Sequence, residues 1–185
     1  MKLPSQAKKV FQGEIFAVYQ WEQEMFDGSY EIFEMLKRPS TIQIIATQGD
    51  KVMMSKQSQP NKHNYHSLFG GRAEPDEEPL VTAKRELLEE SGLESDDWEL
   101  YKQYQPISKI DWDIYLFIAR NCNKVAEPQL DPGEKIETIP CTFDEFTKMI
   151  EQDEFWGPDL TLDILRMERD GKLDAFRKRL FDPSS

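Results

Sequence analysis

The stretch "GGRAEPDEEPLVTAKRELLEESGL", residues 70–93, decides the fold of this chain. It opens on two glycines, passes through a segment rich in carboxylates and ends on Gly92 and Leu93. Pro79 suits the first position of a helix, because the backbone N–H that it lacks would be unpaired there. Gly92 suits the left-handed position that ends a helix. The stretch therefore predicts a glycine turn followed by a helix over residues 79–91.

That helix has two chemically different faces. At roughly 100° per residue, one broad face can pack on a sheet, and its side chains are Leu80, Ala83, Leu87 and Leu88. Glu86, Glu89 and Glu90 share an arc of about 100° on the other side. Glu86 and Glu90 are four residues apart, where like charges destabilise a helix by about 0.2–0.5 kcal/mol.

Two interpretations of the acidic arc compete. A solvated acidic face is common and, from the helix alone, is the more frequent case. The alternative is a site for a hard divalent cation, since Mg²⁺ takes carboxylate and carbonyl oxygens and shares its shell with substrate phosphates. The spacing of the whole stretch favours the cation site.

Read from Gly71, the spacing is five residues to Glu77, seven more, and then the run "RELLEESGL" from Arg85 to Leu93. This pattern resembles the Nudix box without a departure: Gly, five residues, Glu, seven residues, Arg-Glu-apolar-any-Glu-Glu-any-Gly-apolar. Phe69 stands where a proline often precedes the paired glycines, which does not touch the metal positions.

The resemblance implies an α/β fold, the Nudix α/β/α sandwich with a mixed β-sheet, and cleavage of a diphosphate with Mg²⁺ or Mn²⁺. It implies that Glu86 and Glu90 are the principal metal ligands. Glu89 would be a further ligand or position the attacking water, and the Gly71 carbonyl would complete the set. Arg85 would orient the glutamates, or it would only brace the loop against the helix with Glu77.

The N-terminal sequence extends the resemblance to a subgroup. Two extended runs flank the turn "DGS" at residues 27–29, so residues 1–36 are expected to form a β-hairpin extension ahead of a domain over 37–185. This hairpin, followed by Arg38-Pro39 and an apolar strand, resembles the start of Nudix ADP-ribose and nucleoside diphosphate sugar pyrophosphatases. The resemblance implies a homodimer, in which the hairpin often swaps between copies.

Other candidate residues lie outside the box. The resemblance implies a catalytic carboxylate in a loop before a late strand; Glu134 in "QLDPGEKIETI" is the candidate general base, and Glu137 is the second choice. With Glu89 and Arg85 it makes up the expected catalytic set. The candidate substrate-binding residues are Arg38, Arg72, Trp21, Pro106 and Trp112. The arginines could hold phosphates. The tryptophans could stack on a nucleobase, form a dimer interface or simply pack in the interior.

Composition limits the class of protein. The formal net charge is -12, which disfavours a nucleic-acid partner. No apolar run is long enough to suggest a membrane span, and the N-terminus lacks the apolar core of a secretion signal. The two cysteines form no metal or disulfide pattern, so a cytoplasmic setting is expected. The segment 59–66 reads as a polar loop.

The leading expectation is therefore a hydrolase that splits ADP-ribose or a related nucleoside diphosphate sugar into nucleoside monophosphate and sugar phosphate. Two alternatives stay open. One is a Nudix hydrolase of nucleoside triphosphates, coenzyme A or dinucleoside polyphosphates. The other is a non-catalytic domain that binds a nucleotide, which a degenerate box would favour and this intact box does not.

Overall fold

The structure is a computed structural model that describes residues 1–60 and 62–182, apart from the side chain of His63. Its strands are β1 (Lys8–Gln12), β2 (Ala17–Glu24), β3 (Tyr30–Lys37), β4 (Thr41–Gln48), β5 (Lys51–Gln59), β6 (Lys62–Ser67), β7 (Leu93–Glu94), β8 (Asp97–Tyr104), β9 (Ile110–Asp111), β10 (Ile114–Arg120), β11 (Asn123–Lys124) and β12 (Lys135–Cys141). Its helices are α1 (Pro79–Ser91), α2 (Phe143–Ile150), α3 (Pro158–Arg169) and α4 (Leu173–Phe181).

The central sheet has the order β12-β5-β4-β10-β8, with β6 also paired to β5. β4 and β10 run parallel, and the other pairs are antiparallel. The sheet is mixed, as expected. β4 and β10 are apolar along nearly their whole length because both faces of the sheet are covered.

Alternate residues of these strands feed two separate cores, since successive side chains of a strand point to opposite faces. Ile42, Ile44 and Phe117 join the core under α1. Ile45 and Ile118 join the core under α2, α3 and α4. Helices therefore cover both faces, and the expected α/β/α sandwich is confirmed.

The N-terminal residues form a second sheet, in the order β1-β2-β3-β9. β2 and β3 make the expected hairpin, with Trp21 opposite Phe33. A turn closed by the Gly13 N–H donating to the Phe16 carbonyl, 2.8 Å, separates β1 from β2, so the first extended run is two strands rather than one. β9, from the later part of the chain, pairs in parallel with β3.

Two local expectations were wrong. The segment expected to be a polar loop is largely strand, because residues 62–67 pair with β5, and Asn61 lies outside the described residues. Leu80 does not pack on the sheet but is 39% exposed. The buried stripe of α1 runs instead through Ala83, Leu87 and Glu90, so the inner face of the helix accepts a carboxylate.

The helix ends follow the sequence signals. α1 starts on Pro79 and ends at Gly92, whose φ of 70° is left-handed and whose N–H donates to the Leu88 carbonyl at 2.8 Å. The C-terminal helical segment is interrupted at Gly171, which separates α3 from α4. Within the described part of the chain, each helix is too short or too polar to cross a bilayer.

Candidate active site

The glycine turn of the box is fixed against the first residues of β4. The Ile42 N–H donates to the Gly71 carbonyl at 2.8 Å, and the Ile44 N–H donates to the Phe69 carbonyl at 2.9 Å. Gly70 has a φ of 130°, and a Cβ there would lie 2.2 Å from the Ile42 carbonyl oxygen. Only glycine fits this close approach of two backbones.

β4 and β5 diverge beside the glycine turn, and a later segment of the chain lies between them. The chain from Lys62 to Ser67 pairs with β5, and the following residues bridge to β4 at Phe69 and Arg72. β4 and β5 pair directly only at their joining turn, from Ala46 to Met53. The segment therefore fills the space where β4 and β5 diverge, and the glycine turn lies at its end.

Glu90 lies on the buried side of α1. It is only 6% exposed, and one carboxylate oxygen accepts a hydrogen bond from the Gly70 N–H at 2.7 Å. Among the described residues it pairs with no cation. Burial raises the pKa of Glu90 well above its ordinary value; the Gly70 hydrogen bond opposes this, and the charges of Glu86 and Glu134 add to it.

Glu86 lies directly against the glycine turn. A Cβ at Gly71 would meet both of its carboxylate oxygens at 2.6–2.7 Å, so the missing side chain makes room for this carboxylate. Burial raises the pKa of Glu86, and the nearby Arg85 works in the opposite direction. Gly71 and Gly70 thus each accommodate one glutamate of α1.

Arg85 joins the loop to the helix through several carboxylates. Its guanidinium donates to both oxygens of Glu77 at 3.1 Å and to Glu89 at 2.8 Å. It also lies 3.0 Å from Glu86. Glu77 further accepts from the Thr82 hydroxyl at 2.8 Å and the Glu74 N–H at 3.2 Å. The hydrogen bonds from Arg85 lead in lowering the pKa of Glu77 to about 2.

The carboxylates of the box lie near one another without forming a closed metal-ligand cluster. Within residues 1–60 and 62–182, no three His, Cys, Asp or Glu side chains already converge on one point. The reason is local: Arg85 holds Glu86 and Glu89, and Gly70 holds Glu90. A buried carboxylate with no cation is nonetheless an unfavourable charge, and oxygen donors beside a glycine turn are the ligands that Mg²⁺ or Mn²⁺ takes. These residues fit such an ion.

Glu134 faces the same carboxylates from another element. It lies in the turn before β12, where its N–H donates to the Asp131 carbonyl at 2.9 Å. Glu134 is half-buried, and burial together with the charges of Asp131 and Glu89 raises its pKa. The charge of Glu134 in turn raises the pKa of Glu86 and Glu90. The fold therefore brings Glu134 close to the box. Glu137, the second choice, is exposed on β12.

A cleft of about 340 Å³ lies beside the glycine turn. Its walls include Arg38, Arg72, Lys62, Tyr65, Trp156, Gly70 and Gly71. A larger cavity, about 630 Å³, lies between the β4–β5 turn and α4, and no residue of the box lines it. We place the candidate site in the smaller cleft, because the glycine turn of the box lines its wall.

Three cations face this cleft without a carboxylate partner in the described part of the chain. Arg38 lies over the ring of Trp112, 4.4 Å from its centroid, and donates to the Thr41 hydroxyl at 3.3 Å. Its Nε is buried without an acceptor, and burial followed by the charge of Arg72 lowers its pKa. Arg72 and Lys62 likewise make no ion pair within residues 1–60 and 62–182. In a chain of net charge -12, unpaired cations in one cleft indicate an anionic ligand.

The remaining substrate candidates lie elsewhere. Trp112 is half-buried behind Arg38, and its indole N–H donates to the Thr41 hydroxyl at 3.0 Å. Trp21 is 7% exposed, packs on Phe33 in the N-terminal sheet and does not line the cleft of its own chain. Pro106 is half-buried in the β8–β9 loop and does not line the cleft either.

Sequence reasoning missed two residues that line the cleft, Lys62 and Trp156. Lys62 was assigned to the loop that turned out to be β6, and Trp156 follows α2 in a segment with no motif. Lys62 and Trp156 are far apart in sequence and meet only in the fold. One signal was available in the sequence. A tryptophan stands just before Gly157-Pro158, where a short connection between two helices is expected to be exposed.

Comparison with known families agrees with the geometry. The family model described as the NUDIX domain matches residues 37–161, which is more than half of the chain and contains the whole box. The chain belongs to the NUDIX family. It is therefore a Nudix hydrolase, and the recognition made from the box is confirmed.

Individual relatives are more distant. The chain is 27% identical to an ADP-ribose pyrophosphatase of Bacillus subtilis over 153 residues, which is 80% of this chain and 83% of the relative. It is 28% identical over 149 residues, 78% of this chain and 80% of the relative, to a methanol dehydrogenase activator of Bacillus methanolicus. A solved structure described as an ADP compounds hydrolase superposes with a TM-score of 0.71 at 17% identity, covering 91% of this chain and 95% of that one.

Proposed function

We propose that this Nudix hydrolase cleaves the diphosphate linkage of ADP-ribose or a related nucleoside diphosphate sugar, giving nucleoside monophosphate and sugar phosphate. The observation that carries the proposal is the meeting of opposite charges at the glycine turn: Glu90 of α1 is buried against Gly70 without a cation, and Arg38 and Arg72 line the cleft beside that turn without a carboxylate partner among the described residues. A dianionic diphosphate with divalent cations would satisfy both sides. The resemblance to an ADP-ribose pyrophosphatase supports the choice of substrate class.

The residues of the box would hold the cation. Glu86, Glu90 and Glu89 would supply carboxylate oxygens, and the Gly71 carbonyl would use the lone pair that its bond to Ile42 leaves free. When bound, Mg²⁺ or Mn²⁺ would neutralise the diphosphate and lower the pKa of a bound water. Glu86 and Glu89 would bind the cation with the carboxylates that face Arg85, and Arg85 would keep its hydrogen bonds to Glu77.

Glu134 would act as the general base. It stands opposite the α1 carboxylates on a separate loop, so it can approach a water held on the glutamate side. To accept the proton from the attacking water, its carboxylate must come within about 3 Å of that oxygen. Arg38 and Arg72 would pair with the phosphate oxygens, and Arg38 is pre-positioned for this by Trp112.

The test is product identification. The purified protein is incubated with Mg²⁺ or Mn²⁺ and ADP-ribose, other nucleoside diphosphate sugars, a nucleoside triphosphate mixture or coenzyme A. We expect nucleoside monophosphate and sugar phosphate from the sugar compounds. Intact sugar compounds beside pyrophosphate released from triphosphates would move the protein to another Nudix class.

We also propose that the extension over residues 1–36 joins two copies of the chain into a homodimer. The N-terminal sheet leaves an unusual set of large apolar side chains exposed: Val10, Phe11, Phe26, Tyr30 and Ile32. Patches of this kind mark interaction surfaces. Light scattering should give a dimer, and Ile32→Glu should give a monomer of unchanged helical content; a wild-type monomer at all concentrations would contradict the proposal.

The remaining assignments concern setting and partners. We propose a cytoplasmic enzyme with a small-molecule substrate and no nucleic-acid or membrane partner. Both cysteines, Cys122 and Cys141, are buried free thiols, which is typical of a reducing compartment. The charge of -12 opposes binding to a phosphate backbone.

A further inference from the structure

Trp156 is an exposed indole on a fixed backbone. It is 63% exposed, although the chain on either side of it is anchored. The Trp156 N–H donates to the His66 carbonyl at 2.7 Å, and the His66 N–H donates to the Glu154 carbonyl at 2.9 Å, so this segment continues the edge of β6. Phe155 is buried in the core under α2 and α3. Because this amphipathic ring also lines the cleft beside the glycine turn, it is available to a ligand bound there.

Lys62 stands over that ring. Its Nζ lies 3.4 Å from the Trp156 centroid and 3.9 Å from the Tyr65 centroid. Tyr65 is itself fixed, because its hydroxyl donates to the Gln57 side chain at 2.9 Å. Over the residues that the structure describes, no oxygen accepts from the Lys62 ammonium, so its N–H groups remain for a ligand.

The position of this pair in the cleft separates it from the diphosphate end. Lys62 and Arg72 begin and end the segment that fills the gap between β5 and β4. They lie on opposite sides of this gap, because Lys62 pairs with the end of β5 and Arg72 with the start of β4. Gly71 and the α1 carboxylates lie at the Arg72 end, whereas Trp156 contacts the Lys62 end. Both ends line the same cleft. A ligand with its diphosphate at Gly71 therefore extends one of its two terminal groups towards Trp156.

We propose that Trp156 and Lys62 form the subsite for the nucleobase of the substrate, a role that rests on the proposed function. The planar base displaces the Lys62 ammonium from the face of the indole and stacks there, and the displaced ammonium donates to an acceptor atom of the base or of its ribose. The face of a tryptophan can stack on any nucleobase. Stacking of one base commonly changes affinity by about five- to 150-fold. Trp156 and Lys62 are thus residues that bind the nucleotide end of the substrate rather than catalytic residues.

Binding without turnover tests the subsite directly. Trp156 is far more exposed than the buried Trp21 and the half-buried Trp98 and Trp112, so its fluorescence responds first to a ligand. AMP, titrated into metal-free protein, should change the fluorescence saturably. Ribose 5-phosphate, which carries the phosphate without a base, should give only the smaller change that Trp112 reports through Arg38, and that change should persist in Trp156→Phe. An equal response to both compounds would overturn the assignment of a base to this subsite.

Variants sharpen the test. We expect Trp156→Ala to weaken AMP binding at least about fivefold by calorimetry, and Trp156→Phe, which keeps a ring, to restore most of it. Lys62→Ala should weaken AMP binding as well. Lys56→Ala is the matched control, because it removes the same charge from the exposed side of β5 and should leave binding unchanged. Wild-type AMP affinity in Trp156→Ala would refute the subsite.

Kinetics separate this proposal from the proposed function. With ADP-ribose, Trp156→Ala should raise KM about fivefold or more and leave kcat within about twofold. If wild type hydrolyses ADP-ribose and Trp156→Ala has an unchanged KM, the subsite fails and the function stands. If no nucleoside diphosphate sugar is hydrolysed but AMP binding depends on Trp156, the function fails and the subsite stands.

Discussion

Two groups of glutamates in the same box lie in opposite surroundings. Glu77 and Glu89 share the guanidinium of Arg85, with hydrogen bonds of 2.8–3.1 Å. Glu90 is buried against Gly70 with no cation in the described residues. The paired group joins the loop to the helix in the protein as it stands. The unpaired group is unfavourable until a ligand arrives, so the two groups should respond differently to the same loss of charge.

The largest effect is expected from Glu90→Gln. The amide oxygen can still accept from the Gly70 N–H, so the fold is kept, but an anionic ligand for the cation is lost. We expect kcat to fall about a thousandfold or more. The melting temperature without metal should rise, because a buried charge has been removed.

Glu78→Gln is the matched control, since Glu78 is exposed at the start of the same helix and makes no side-chain cap. It should change neither activity nor melting temperature. Wild-type turnover in Glu90→Gln would contradict its metal role. A collapsed fold in Glu90→Gln would instead make Glu90 a structural residue, and circular dichroism distinguishes the two.

The second-largest effect is expected from Glu134→Gln. Glu134 lies before β12 and not on α1, so this variant tests whether a carboxylate outside the helix takes part in catalysis. Loss of a general base should lower kcat about a hundredfold with little change in KM. Binding of Mn²⁺, followed by calorimetry, should be nearly unchanged, because Glu134 is not among the expected ligands. Glu137→Gln, on the exposed side of β12, serves as its control; if the loss appears there instead, the base has been assigned to the wrong residue.

A smaller effect is expected from Gly71→Ala. The new Cβ would lie 2.6 Å from a carboxylate oxygen of Glu86, and this flexible side chain can swing away at little cost to stability. Activity should fall about tenfold or more because a ligand is displaced. Gly70→Ala makes the contrast, since its Cβ would meet backbone at 2.2 Å. We expect Gly70→Ala to lower the melting temperature, and an equal drop for Gly71→Ala would show that both glycines serve only the fold.

Local signals explain what the sequence could predict. Pro79 and Gly92 mark the ends of α1 because helix ends are set by backbone chemistry at single residues. The box spacing identified the carboxylates and the family. The apolar run after Arg38-Pro39 predicted β4, because such runs match buried strands. Each of these features depends on residues close together in the chain.

The failures concern residues that only tertiary packing brings together. β6 looked like a loop because its buried positions are polar: Tyr65 and Gln57 satisfy each other across the hairpin, as do Ser55 and Ser67. Leu80 has the right period to pack, but the buried stripe of α1 takes Glu90 instead. The contact between Lys62 and Trp156 joins β6 to the segment after α2, which no local pattern predicts.

The smallest effect is expected from Glu77→Gln, which breaks the paired group alone. Hydrogen bonds from Arg85 lower the pKa of Glu77 from 4.5 to about 2. A lowered pKa contributes stability above the unfolded-state value, and that stability is lost as the pH falls through the folded-state value. We expect Glu77→Gln to lower the free energy of unfolding by about 1–2 kcal/mol at pH 7. The difference from wild type should shrink as the pH falls from about 4.5 towards 2, and urea unfolding measures it.

Activity decides what the paired group is for. If Arg85 only braces the loop, Glu77→Gln lowers stability and leaves kcat nearly unchanged once the protein is folded. If Arg85 also aims Glu86 and Glu89, the guanidinium freed from Glu77 shifts towards these carboxylates and competes with the cation. The apparent Kd for Mn²⁺ should then rise about two- to tenfold. An unchanged metal affinity together with reduced stability would assign the paired group to the fold and leave catalysis to the unpaired one.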